Sequence, residues 1–263
     1  MHHFPIEIQD PQLVIKGLRA TTRFFEMLAS NSKIYKNTSA IVTGIDSPFL
    51  NVAYLNKIDV NEVHDICENI SEFFGHFQTL WTFVVTPLSQ PDNLKDYLKH
   101  EKFELLESVP CMYCDLSMVN TALPSDIVVE ELISSDNLLE WIKPICEGFG
   151  PGDDNGEEFR KLNAKISQQD GVFKQFIAYS GNQVVSSGTL FLTEESVMIH
   201  NIATKKDSVK KGYGSALTIK LMDVAKNLGY KDCFLESSDS GYNLYRRCGF
   251  RVYGVNDYYV KKQ

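Results

Sequence analysis

The feature that most limits the fold is a run of short segments of alternating character between residues 196 and 260. "SVMIHNIAT" (196–204) reads as a strand. A lysine-rich stretch with Gly-Tyr-Gly follows, and a helix over 214–228 begins at once. Leu217, Leu221, Val224 and Leu228 fall on one helical face, and Gly229 is its stop. "KDCFLESS" (231–238) reads as the next strand, about 241–247 as a short helix, and "FRVYGVNDYYV" (250–260) as a closing strand. Short strands alternating with helices bury their apolar faces only by packing helices on a sheet, which places the chain in the α/β (α+β) class.

Upstream, "NTALPSD" (120–126) reads as a linker, so the expected domains are 1–120 and 121–263. After it come a strand at 127–133, a helix from about Asp136 to Cys146, the glycine-rich acidic loop "CEGFGPGDDNGEEF" (146–159), a helix at about 157–168, and strands across 172–204 separated by "SGN" and "TEES" turns. The first half repeats part of this order. "NVAYLNKIDVNEVHDICENISEFFGHFQ" (51–78) lies where Asn201–Tyr230 lies about 150 residues later, "LWTFVVTP" (80–87) matches "KDCFLESS", and 94–116 matches the final helix and strand. "KIDVNEV" replaces the glycine turn in the first half, so only the second half is expected to work and the first to support it.

Composition excludes several classes. Net charge is −8, against a general nucleic-acid surface. The apolar runs fall short of the roughly 20 residues of a membrane span, and the first residues lack a signal-peptide pattern. Six cysteines without a framework read as reduced thiols in a cytoplasmic protein. Cys111 and Cys114 lie in an apparent strand, where residues three apart face opposite sides, so this C-x-x-C is expected to be inert. Trp81 and Trp141 read as packing residues. No metal is called for.

The first 120 residues carry 9 basic and 15 acidic residues, the remainder 17 and 19, and Lys205, Lys206, Lys210 and Lys211 form the densest basic patch. A helix N-terminus presents unsatisfied N–H groups and a partial positive charge. Gly212 and Gly214 admit backbone conformations and approaches that a side chain forbids. A tight structural turn and an anion site are both open on this stretch alone. A P-loop is excluded because G-x-x-x-x-G-K-[ST] is absent, and a dinucleotide fingerprint because Leu217 stands at the third glycine.

"IHNIAT", "VKKGYG", the helix, "CFLESS" and "YRRCGF" follow in the order and spacing of the GNAT superfamily of acetyl-CoA-dependent N-acyltransferases, which residues 126–263 resemble. The family's turn is [QR]-x-x-G-x-[GA], and its short helix ends in Y-x-x-x-G-F. The resemblance implies a mixed, mostly antiparallel sheet flanked by helices, here in two tandem related domains. It implies acetyl-CoA (coenzyme A) as cosubstrate, held by Ile202, Ala203 and Thr204 at the strand end, by Val209, Lys210, Lys211, Gly212, Tyr213, Gly214 and Ser215 at the turn, and by Ser238, Asn243 and Tyr245. Val209 departs from the usual Gln or Arg; Lys210 and Lys211 compensate in this reading.

Acyl transfer to an amine needs a polarised carbonyl, a neutral amine and a stabilised leaving thiolate. By resemblance, strand 196–204 offers a backbone N–H to the thioester oxygen, and strand 231–237 splays away from it. Tyr245 is the expected acid toward the sulfur. His200, placed by alternation on one face with Met198 and Ile202, is a candidate base; Glu236, Asp239 and a water chain compete. Asp153, Asp154, Glu157 and Glu158 are expected to attract a cationic amine, or else to serve a helix start. The partners expected are acetyl-CoA and an amine acceptor, with neither nucleic acid nor membrane, and with a homodimer left open. A non-catalytic acyl-CoA-binding module and an acyltransferase with another donor or an O-acceptor are the alternatives.

Overall fold

The computed structural model describes residues 4–119, 127–132, 138–149, 160, 163, 166 and 171–262. Its elements in chain order are α1 (Pro11–Leu28), β1 (Asn31–Tyr35), β2 (Thr38–Val42), β3 (Val52–Lys57), α2 (Val63–Gly75), β4 (Thr82–Gln90), α3 (Leu94–His100), β5 (Phe103–Asp115), β6 (Val128–Glu131) and α4 (Leu138–Phe149). They continue with β7 (Phe173–Ser180), β8 (Gln183–Leu192), β9 (Val197–Thr204), α5 (Tyr213–Asn227), β10 (Asp232–Glu236), α6 (Asp239–Arg247) and β11 (Arg251–Lys261). Among the described residues, no helix is long and apolar enough to cross a membrane.

The chain divides into two compact units: Met1–Cys111 with Val252–Gln263, and Met112–Arg251. The division does not fall at the linker expected around 120–126, most of which lies outside the described residues. The last strand, expected to close the second half, joins the first unit. It pairs antiparallel with β4 through Asp257↔Val85, Tyr258↔Val84 and Tyr259↔Phe83. From Met112 onward, β5 belongs to the second unit and neighbours β10, where the Tyr113 hydroxyl donates to Asp232 at 2.9 Å. Local pattern specifies a strand and its buried face but not the strand it pairs with, because pairing energy comes from packing against neighbours.

In the first unit the strand order is β1-β2-β3-β4-β11-β5. α2 is amphipathic: Val63, Ile66, Cys67, Ile70 and Phe74 recur at helical spacing and are buried. They pack onto Phe83, Leu98 and Phe103, and Trp81 stacks on Phe74 at 4.4 Å between ring centroids. In the second unit the order is β5-β10-β9-β8-β7-β6; β6 to β9 pair antiparallel, and β9 pairs parallel with β10. The order β3-α2-β4-α3-β5 repeats as β9-α5-β10-α6-β11, and β3 with β4 is likewise parallel. The internal repeat read from the sequence is present in the topology.

α4 lays Trp141, Ile142 and Ile145 against Ile177 of β7 and Ala203 of β9. All six cysteines are thiols. Burial pushes the Cys114 thiol up to about 12, so its reactive thiolate is not populated near neutrality.

Candidate functional site

β9 ends at Thr204 and leads through a short 3-10 turn, Lys206–Ser208, into Lys210 at φ +64° and Gly212 at φ +90°. Gly212 is the N-cap residue of α5. An added Cβ there would meet nothing within 4 Å, so glycine is required by conformation and not by space. Gly214 is the reverse: a Cβ would lie 3.0 Å from Leu244 Cδ1 and 3.3 Å from Thr204 Oγ1, so the strand end and α6 close tightly on the first turn of α5. Among the described residues no side chain caps this helix, and its first turn holds no acidic residue. The first intrahelical bond runs from the Ala216 N–H to the Gly212 carbonyl at 3.0 Å. The N–H groups of Tyr213, Gly214 and Ser215 lie ahead of that bond in the orphan donor set that favours an anion.

Lys210 and Lys211 are exposed beside this turn, and Val209 is 48% exposed. The Tyr213 hydroxyl donates to Ser180 Oγ at 3.0 Å, tying the turn to the end of β7. The Lys206 N–H donates to the Glu147 carboxylate at 3.1 Å, tying it to α4.

The strands behind the turn part as expected. β9 and β10 pair only at Cys233↔Val197 and Phe234↔Met198, although β9 runs on to Thr204 and β10 to Glu236. Beyond Met198, β10 no longer pairs with β9, and among the described residues no other strand takes its place. On its other side β9 pairs with β8 through Ser187↔Ala203 and then Thr189↔His200. Asn201 and Ile202 thus face the single residue Gly188, and Asn201 has φ +56°: a bulge.

The bulge corrects one expectation. Strict alternation would align His200 with Ile202, but the extra residue between them breaks the period of two. Part of His200 reaches the surface, yet its Nε2 does not, and burial holds its pKa down to about 3. So depressed, the imidazole stays neutral and is a weak proton acceptor, far from the value near 7 that suits a general base.

α6 opens with Ser238 as its N-cap, the hydroxyl accepting from the Gly241 N–H at 3.3 Å. Asn243 is exposed, Glu236 half-buried at the end of β10, and Asp239 exposed at the helix start. Tyr245 is 8% exposed and meets Phe250 edge-on at 6.0 Å. Burial raises its phenol well above the usual range, so the hydroxyl keeps its proton at every working pH. Asp153, Asp154, Glu157 and Glu158 lie outside the described residues. Sequence reasoning missed Gly188 and Glu147, and read Trp141 only as packing. The "SSG" of 186–188 inside a strand pattern was the available signal for the bulge.

A parallel strand pair parts beside a glycine-led helix N-terminus, and a short helix carrying Tyr245 follows. Residues 136–250 match the model of the Acetyltransferase (GNAT) family. The chain is 30% identical over 91 residues to the uncharacterized N-acetyltransferase YvbK of Bacillus subtilis (strain 168), a match covering 33% of this chain and 59% of that protein. Among solved structures it is similar to a GCN5-related N-acetyltransferase from Kribbella flavida, with TM-score 0.75, 12% identity, and 96% and 95% of the two chains covered. It is also similar to a tandem GNAT protein from the clavulanic acid biosynthesis pathway, with TM-score 0.58, 9% identity, and 92% and 94% covered. At these identities the structural likeness is one of fold, and it extends over both halves of the chain.

Proposed function

We propose that this protein is an acetyl-CoA-dependent N-acetyltransferase acting on a primary amine of a small molecule or peptide. The observation that carries the reading is the glycine-led N-terminus of α5 beside the parted β9–β10 pair. The N–H groups of the Gly212–Ser215 turn suit a pyrophosphate, and Lys210 and Lys211 add charge. The close fit at Gly214 brings Thr204 and Leu244 onto the same turn. Ile202, Ala203 and Thr204 present the strand edge that β10 has left, along which the pantetheine arm would run.

Acetyl-CoA supplies an activated thioester; the residues supply position and charge stabilisation. An N–H of β9 beyond Met198 polarises the carbonyl. Tyr245 acts as a hydrogen-bond donor to the sulfur more than as a full proton donor. Thiols titrate near 8.5, and each pKa unit by which the phenol lies higher makes complete transfer cost about 1.4 kcal/mol more. Deprotonation of the amine falls to Glu236 or to water ahead of His200, whose imidazole is too weak a base. Ser238 and Asn243 line the α6 side in this reading. Six cysteines held as thiols fit a reducing, cytoplasmic compartment.

Acetyl-CoA titrated against the purified protein tests this. A cosubstrate at 100 times its Kd stabilises by about 2.7 kcal/mol, and thiol release should then appear with a panel of primary amines. A folded protein whose melting midpoint ignores acetyl-CoA would overturn the reading. A saturable shift with no thiol release from any amine would favour the non-catalytic acyl-CoA-binding module.

A further inference from the structure

We infer that Trp141 is a positioning residue for the carbonyl-polarising backbone of β9, acting through its indole N–H on Gly188. The inference rests on the acyl-transfer reading above. Trp141 lies on α4, is fully buried, and donates from Nε1 to the Gly188 carbonyl at 3.0 Å. Gly188 is the one residue that faces the two bulge residues Asn201 and Ile202. The Ile202 side chain fills the space where a side chain on residue 188 would stand: a Cβ there would lie 2.4 Å from Ile202 Cδ1 and 3.2 Å from Leu217 Cδ2. A shift of Gly188 toward its neighbour is therefore felt at Ile202, one of the two bulge residues. Trp141 holds the carbonyl of the same Gly188.

The same helix holds β9 at two further points. Trp141, Ile142 and Ile145 pack in one cluster with Ala203, the residue at which ladder pairing resumes after the bulge. Glu147 accepts from the Lys206 N–H just beyond the strand end. α4 thus grips the strand at the bulge, after it, and at the entry to the glycine turn. A core tryptophan needs only to fill volume and satisfy its N–H with any acceptor. Here the acceptor is the backbone carbonyl opposite the one distorted point of the reacting strand.

The test separates the N–H from the ring. Trp141→Phe keeps an aromatic ring and deletes the donor; benzothienylalanine introduced at position 141 alone keeps the whole shape and deletes only the N–H. Misplacement of a reacting group by a fraction of an ångström is expected to lower kcat about ten-fold, with KM for acetyl-CoA within about two-fold. Infrared spectroscopy of bound acetyl-CoA carrying 13C at the thioester carbonyl reads the polarisation directly. The wild type should lower the carbonyl frequency relative to free acetyl-CoA, and both variants should lose much of that shift. Unchanged kcat and an unchanged carbonyl band in the isostere would overturn the inference. So would a loss confined to melting temperature or KM, which is what a merely structural tryptophan predicts. Absence of acetyl-CoA binding by the wild type would sink the functional reading first, and this inference with it.

Discussion

At the scale of single residues, Tyr245 and His200 illustrate how burial decides chemistry that residue type leaves open. Both were singled out by position, Tyr245 by its motif and His200 by its strand. Tyr245 is buried with its phenol pKa raised, which suits a donor that never ionises. Tyr245→Phe should lower kcat about 10²-fold, the lower end of what a positioned proton donor contributes, while the Kd for acetyl-CoA stays within about two-fold. Paired steady-state kinetics and calorimetric titration measure both numbers, and equal kcat in the two proteins would remove Tyr245 from the chemistry. For His200 the consequence lies in stability. Its folded pKa, about 3, lies below the ordinary value near 6.5, so the unfolded chain takes up a proton that the folded protein refuses. The contribution is whole above pH 6.5 and is lost as pH falls toward 3, by at most about 1.4 kcal/mol per pH unit. Urea unfolding midpoints from pH 7 to 4 should fall more steeply for the wild type than for His200→Gln. The variant should keep the pH profile of kcat, and an altered profile would return His200 to the mechanism.

At the scale of the element, the turn before α5 works because two glycines serve different needs. Gly212 supplies a positive φ with open space around it, whereas Gly214 supplies closeness to Thr204 and Leu244. Gly212→Ala should cost about 1–2 kcal/mol of backbone strain and weaken acetyl-CoA binding, with no clash to relieve. Lys210→Ala combined with Lys211→Ala should leave the melting midpoint of the free protein nearly unchanged, because both side chains are exposed. It should weaken binding and flatten its dependence on salt, since exposed charges act through a screened field. Titrations at about 0.01 and 0.15 M salt check this; identical salt slopes in variant and wild type would show that the lysines contribute nothing. The helix, its stop at Gly229 and the glycine turn before it were legible because period and glycine placement are local properties. The bulge at Asn201 was not. It is a mismatch between two strands, and neither strand carries it alone.

At the scale of the whole molecule, the two repeats share an order of elements but not a site. In the first unit β3 and β4 stay paired from Val52↔Thr82 to Leu55↔Val85, with Lys57↔Gln90 beyond, so that parallel pair does not part as β9 and β10 do. Ahead of α2, Asp59 accepts from the Asn61 N–H at 2.9 Å, and Glu62 and Asp65 put negative charge where a phosphate would bind. Acetyl-CoA should therefore bind with a stoichiometry of one per chain in calorimetric titration, and lose binding entirely on disruption of the Gly212 turn. A stoichiometry of two would show that the first unit also holds the cosubstrate.

The sequence by itself determined the elements from β9 to β11, the repeat and the class, but not α1, β1 or β2. The helix expected at 157–168 lies almost wholly outside the described residues. Hydrophobic period, glycine placement and the paired motifs "VKKGYG" and "YRRCGF" act over fewer than twenty residues, and each is a local rule. Only the tertiary structure decided that β11 belongs with β4 and the end of β5 with β10. Only the structure decided that β9 and β10 part after Met198, that Trp141 reaches Gly188, and that the surroundings of His200 are too dry for a charge. Each of these depends on which distant segment lies alongside. Strand partners, bulges and desolvation are properties of pairs and surroundings, set by packing between segments well separated along the chain, and no short window of sequence contains both members.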